Sequence, residues 1–254
     1  MRESNIYKRL LKGGMGLLLI FLISGCGDNI FSGNNSSLEA KIEEAKIALD
    51  EGVYDSAIKI LEGICGTDIN NPQCDSDMIS LLASAYMGTA GLDVISLIDA
   101  ADKITTNNPN DNTAAFDMFA DIIKPSNIDN LQTAITLLNN IDDAERTTEQ
   151  ELQRAVASAS HMVANIIATV APDFNPENPQ ATVYQPEKVN SALVETVIND
   201  LAVAVDSASE VTATVTGGDI DLTSEIEGFT QDIDKNGDGI KIDELKNYVT
   251  ALNN

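Results

Sequence analysis

The chain has 254 residues, with 40 Asp and Glu against 15 Lys and Arg and a single His, for a formal net charge of −25. That balance excludes nucleic acid and anionic lipid headgroups as partners bound through charge, because both need a basic footprint. It suits a cation, a basic protein surface or simple solubility. Aromatic residues make up only 4% and Trp is absent, so a core must come from the abundant Ala, Ile, Leu and Val, as in closely packed helices.

Taken in order, the chain begins with Arg2, Lys8, Arg9 and Lys12, followed by an apolar run that ends in Ile23-Ser24-Gly25-Cys26. Charge, a short apolar run and small residues make the layout of an export signal. The uncharged stretch from Gly13 to Gly25 is shorter than the ~20 residues a membrane-spanning helix needs. The four residues ending at Cys26 resemble the lipobox of bacterial lipoproteins. The resemblance implies cleavage after residue 25, a diacylglycerol thioether on Cys26 and acylation of the new amino terminus by chains such as palmitate. It places the protein in a bacterial cell envelope, with the membrane as a partner through its lipid. Gly27 rather than Asp after the cysteine favours the outer membrane. The alternative is an ordinary cleaved signal followed by chance by a cysteine. Removing residues 1–25 leaves 11 basic and 39 acidic residues, a net charge of −28.

Residues 26–37, rich in Gly, Asn and Ser, read as a flexible tether. Helical spacing starts at or just after Ser37, with Leu38, Ile42, Ala45 and Leu49 on one face. Gly52 stops this helix, and a second begins near Tyr54 with Ala57, Ile58, Leu61 and Ile64 inward. Cys65 and Cys74 are then an even pair in an exported protein, and a disulfide between them is expected, with a metal site as the competing reading.

Gly52-Val-Tyr-Asp-Ser-Ala57-Ile-Lys-Ile-Leu61 resembles the middle of a tetratricopeptide (TPR) repeat, and Leu82-Ala-Ser-Ala-Tyr86, with Gly91 near its turn, resembles the first helix of the next. The spacing between the two is about four residues longer than in that family, and the early aromatic of the first helix is missing. The resemblance implies paired antiparallel helices over roughly 38–100. Any bundle of helical hairpins is the plainer alternative.

Helical stripes continue. Leu92, Ile95, Ile98 and Ala101 form one, Ala115, Phe116, Phe119 and Ile122-Ile123 another that Pro125 ends, and Ile128, Leu131, Ile135 and Leu138 a third. Thr147-Thr-Glu-Gln150 predicts a helix start with a capping acid. It opens a long Ala/Ser-rich helix expected at the centre of the body. Three prolines between Pro172 and Pro179 break the pattern and mark an internal boundary or long loop. Pro186 suits the first turn of a further helix carrying Val189, Leu193, Val197, Leu201 and Val205. Val211–Thr216 alternates as a short strand would, but it reads better as a helix end running into Gly217-Gly218.

The densest motif, Asp232 to Leu245, resembles an EF-hand calcium loop. Asp234, Asn236 and Asp238 fall at ligand positions one, three and five, Gly239 at the sharp turn, and Ile240 where a backbone carbonyl would ligate. The closing acid, Glu244, is eleventh instead of twelfth, a place that Leu245 takes. A second register begins at Asp232 and ends at Asp243. The resemblance implies a structural Ca²⁺ held by Asp234, Asn236, Asp238, Ile240 and Glu244. An acidic turn that never binds metal is the alternative.

His161 is read as a surface or satisfied core histidine, and Glu43-Glu44 and Asp142-Asp143 as solvated faces. With no nucleophile motif, metalloprotease His pair or phosphate cradle in view, the chain is not expected to be an enzyme. The sequence therefore describes an all-α protein. It has a signal at 1–25, a tether at 26–37, a TPR-like domain at 38–171, a Pro-rich loop at 172–185, and C-terminal helices with a helix–loop–helix at 186–254. The expected role is a lipid-anchored adaptor that holds another envelope protein. A lipid-anchored hydrolase or a small-ligand module using acidic residues is the alternative.

Overall fold

The computed structural model describes residues 37–66, 74–93, 116, 119–120, 122–175, 182–214, 230–231, 233–234 and 239–253. Among them are seven α-helices and no strand: α1 Leu38–Asp50, α2 Tyr54–Cys65, α3 Ser76–Thr89, α4 Ile128–Asn139, α5 Thr148–Val170, α6 Ser191–Thr214 and α7 Ile242–Ala251. The fold is all-α, as the composition requires. Successive helices pack pairwise from α1 to α6, and α7 returns to the turn at 186–188 and to α6.

Local chemistry sets most of the boundaries. Ser37 caps α1 by accepting from the Ala40 N–H at 3.2 Å, and Asp75 caps α3 by accepting from Met78 at 3.0 Å. Both satisfy amides that the first helical turn leaves without partners. α1 and α3 end alike. The Val53 N–H bonds to Ala48 O (2.8 Å) and Gly52 to Leu49 O (3.0 Å), while Leu92 bonds to Met87 O and Gly91 to Gly88 O, both 3.0 Å. This is the Schellman ending, which needs a left-handed residue just past the helix, and Gly52 and Gly91 supply it with φ of 70° and 99°. The two turns singled out in the TPR-like stretch are therefore the same physical device used twice. Between them the ring of Tyr54 lies flat against Gly88, where a Cβ would come within 2.3 Å of Tyr54 Cε1.

Cys65, the last residue of α2, is disulfide-bonded to Cys74, two residues before α3. The bond replaces the metal reading. Closing so short a loop stabilises the fold by roughly 2–3 kcal/mol, mainly by restricting the unfolded chain.

α5 is central, touching α3, α4, α6 and both short 3-10 turns. It opens with a capping box between Thr147 and Gln150. The closing residue is an amide rather than the expected acid, and the difference has a use. Gln150 Oε1 accepts from the Thr147 N–H at 2.9 Å, while its Nε2 donates to Ser76 O of α3 at 3.1 Å. A carboxylate would have no proton for that second bond. One turn on, Gln153 accepts from Ser80 Oγ at 2.7 Å and donates to Ser84 Oγ at 2.9 Å, so two glutamines fix the register of α5 on α3.

Pro186 opens a 3-10 turn over Pro186–Lys188 rather than the helix itself. α6 starts only at Ser191, with Asn190 Oδ1 accepting from Leu193 N–H at 3.0 Å. It runs to Thr214, so residues 211–214 are helix end and not strand. One hydrophobic cluster extends from Ala45 to Val249 and crosses the Pro-rich segment. There Phe116 meets the rings of Tyr184 and Tyr248 edge-on at 5.8 and 6.2 Å. The Asn253 side chain accepts from Tyr184 N–H at 2.8 Å and donates to Tyr184 O at 2.9 Å, which ties the chain end to that segment. The stripe Leu92–Ala101 lies, apart from Leu92, outside the described residues.

Gly91→Ala should destabilise the fold by about 2–4 kcal/mol, from left-handed backbone and overpacking together, because its Cβ would sit 2.2 Å from Ile122 O. Gly63→Ala is the matched control. Nothing lies within 4 Å of that Cβ, so the helix should gain roughly 0.5–1 kcal/mol. Urea unfolding of the two variants should move in opposite directions.

Candidate functional site

Two contacts define how α5 and α6 meet. His161 faces Asp200, and Arg154 faces Ser207. Each step of seven along α5 is matched by a step of seven back along α6, which is a single antiparallel register. Glu151 and Glu210 fall one turn further in the same register. The result is a polar seam between the two longest helices, spaced every third or fourth residue so that it stays on one face.

At its open end the seam is a ladder of alternating charge. Arg146 donates from Nη1 to Glu151 Oε1 at 2.8 Å, pairs through Nη2 with Asp143 at 2.7 Å, and donates from Nη2 to Ile141 O at 2.8 Å. Glu151 reaches Arg154 at 3.5 Å, and Arg154 continues to Asp206 and Ser207 on α6. The centre is dry and the ends are wet: the Glu151 and Arg154 side chains are each 7% exposed, whereas Asp143 is 90% exposed. Burial opposes the charge on Arg146, but bonds and charge from Glu151 and then Asp143 outweigh it and push its pKa up. Arg146 Nε and Glu151 Oε2 are buried without a hydrogen bond. A cleft of about 230 Å³ opens here, lined by Asp143, Arg146, Thr148, Glu151, Asp206 and Glu210.

Two turns deeper lies His161, the only histidine in the chain. It is a core histidine, 5% exposed, with Nδ1 2.7 Å from Asp200 Oδ2 and Nε2 3.1 Å from Asn165 Nδ2. Desolvation raises the Asp200 carboxyl above its usual value, offset in part by the bond and charge of His161. A raised folded value means this carboxyl favours folding most below its unfolded pKa and gives that up as pH rises through the folded one. No nucleophile completes a triad on the imidazole's far side, because Asn165 occupies it.

The C-terminal turn is separate. Residues 230, 231 and 233 are helical, Asp234 Oδ2 accepts from the Gly239 N–H at 2.9 Å, and Gly239 has φ of 96°. Leu245 is fully buried, so the twelfth position of the loop is core. Glu244 accepts from the Lys241 N–H at 3.0 Å and so caps α7. Ile240 packs against the core. The side chain of Asp232 and residues Asn236 and Asp238 lie outside the described residues, as does Cys26. Among the described residues no three His, Cys, Asp or Glu side chains are grouped to hold a metal ion, and no helix is long and apolar enough to cross a membrane.

Glu43, Glu44, Asp142 and Asp143 are all exposed, as expected, though Asp143 also anchors the ladder. The seam itself escaped the sequence reading. Its signal was present: Arg146 and Arg154 are the only arginines after residue 25, where every other basic residue is Lys. Arg is the cation suited to buried, multiply bonded pairs.

The chain matches no protein-family model, and neither curated proteins nor solved structures give a match.

The ladder predicts a sharp contrast between its middle and its rim. Glu151→Gln removes the buried carboxylate shared by Arg146 and Arg154, leaving their charge to the exposed Asp143 and Asp206, and should cost about 3 kcal/mol in denaturant unfolding. Asp143→Asn removes a solvated partner and should change stability by less than about 1 kcal/mol.

Proposed function

We propose that this protein is a lipid-anchored adaptor of a bacterial envelope, held to the membrane through Cys26, that binds another envelope protein through the surface of its TPR-like helices. The observation that carries this reading is the α1–α2–α3 stack, with its repeated glycine-ended turns, the Tyr54–Gly88 contact and a disulfide between its second and third helices. Repeated hairpins of this kind present an extended surface to a partner. The surface offered is charged. α1 and α2 expose six carboxylates against Lys41, Lys46 and Lys59. The large apolar residues that are exposed (Leu38, Ile47, Val53, Val183, Ile198, Ile242) are distributed over several elements instead of forming one greasy face. A basic partner surface suits this better than an apolar helix would.

The test is a pulldown from detergent-solubilised membranes at low salt. A stoichiometric basic partner, released as salt is raised, is the expected result, and recovery of the protein alone counts against the adaptor. Cys26→Ser should move the protein from the membrane pellet to the soluble fraction. An exported variant that still pellets removes the anchor from this reading.

A structural calcium ion at the C-terminal turn belongs to the same proposal. The residues fit it in part: Asp234 already accepts from Gly239 across the turn, and Glu244 commits Oε2 to its cap, which leaves Oε1 to bind. Asp234, Asn236, Asp238, the Ile240 carbonyl and Glu244 would hold the ion, and its charge would relieve repulsion among the carboxylates. Calcium at ten times its dissociation constant would add about 1.4 kcal/mol, or roughly 3–5 °C in Tm. Asp234→Ala with Asp238→Ala should abolish that rise. A flat calorimetric trace at several millimolar calcium would leave an acidic turn.

A further inference from the structure

We propose that His161, Asp200 and Asn165 form a proton-operated latch between the two longest helices, closed by a neutral imidazole and released on its Asn165 side by acid. The geometry fixes each proton. Asn165 Nδ2 lies 2.8 Å from His161 O and 3.1 Å from His161 Nε2, so one amide hydrogen serves each. Turning the amide over would set its oxygen against the carbonyl oxygen, acceptor against acceptor, so the NH₂ stays where it is. An NH₂ only donates, and Nε2 is therefore an acceptor and carries no proton. The single ring proton then sits on Nδ1, where it is donated to Asp200 Oδ2 across 2.7 Å. Both ring nitrogens of His161 have a matched partner only in that one tautomer.

A second proton must go to Nε2, and there it meets the Asn165 donors. Donor faces donor, so the Asn165 side chain has to leave. It can do so, because it is half-buried, while His161 and Asp200 are 5% and 7% exposed. The bond to Asp200 meanwhile becomes a full ion pair. The helices therefore stay docked through the buried contact, and what changes is the side of α5 turned toward the first turns of α6.

Among the described residues few other charges bear on this cluster, and the turn at 186–188, which also touches α5, keeps Glu187 and Lys188 exposed. Asp200 is the charged group that α6 brings to the imidazole, with Glu195 exposed on another face. α4 turns Leu131, Ala134, Ile135 and Leu138 inward and carries Asp129 on its opposite side. α3 meets α5 through Ser76, Ser80 and Ser84. Along α5 the nearest charge is Arg154, ~10 Å away by helical rise.

The sole histidine makes the experiment direct, since imidazole ¹⁵N signals from the tag-free full chain come from one residue. While the ring holds a single proton, the spectrum should show it on Nδ1 and a bare Nε2. On acidification Nε2 should gain its proton while the Asn165 side-chain NH₂ signals shift with the same midpoint. Asn165→Ala should lose the exclusive Nδ1–H tautomer and let Nε2–H appear, with circular dichroism reporting that the helices remain. An Nε2–H tautomer in the unaltered chain overturns the proposal. So do Asn165 signals that stay fixed while the ring titrates, and an imidazole that keeps its one proton until the protein unfolds.

Discussion

The structure depends on the antiparallel register of α5 and α6. Two long helices rich in small residues can approach closely, and Ala155, Ala157, Ser158, Ala159 and Ala164 on α5, with Ala204, Ser207 and Ala208 on α6, are all buried. Close approach leaves little room for a partly solvated side chain. A polar residue at such a contact must therefore find its partner on the facing helix or lose its hydrogen bonds. His161 finds Asp200 and Arg154 finds Ser207 in the same register, and a slip of one turn would break both. The apolar remainder of α5 is then free to carry α4 and, through Gln150 and Gln153, the serine stripe of α3.

What the sequence made legible was local. Ser37 marks where the first helix begins, Gly52 and Gly91 answer to the turns expected of them, and Cys65 and Cys74 are close enough in the chain to be matched by counting. Each needs only a few neighbours to be recognised. The seam is different, because its pairs lie 39 and 53 residues apart with a proline-rich segment between them. Nothing in the neighbourhood of His161 announces Asp200, and a lone histidine on an apolar face looks the same whether it is satisfied or stranded. The Gln in the capping box was misread for a related reason. Its Nε2 donates to Ser76 O, 74 residues away, a bond that the helix it opens does not announce.

Burying Arg146 and Arg154 also reshapes the surface. Arg146 and Arg154 spend their charge inside the ladder, against Glu151 and the rim carboxylates. The exposed cations left among the described residues are lysines, outnumbered on α1 and α2 by carboxylates. Among the described residues the surface is thus acidic, with its exposed large apolar residues dispersed. On the adaptor reading proposed above, a partner that supplies positive charge would suit this surface.

The C-terminal turn shows how a core constraint can set where an acid stands. α7 docks through Leu245, Tyr248 and Val249, the one-four-five spacing of a single helix face. That phase commits Leu245 to the core, and an acid at the same position would bury its charge. The nearest position that can carry the acid is therefore one residue earlier, about 100° around the helix. There Glu244 faces the exposed first turn and reaches back to the Lys241 N–H. The short spacing and the cap follow from the same packing face, so any cation drawn to this turn has to share Glu244 with the helix it begins.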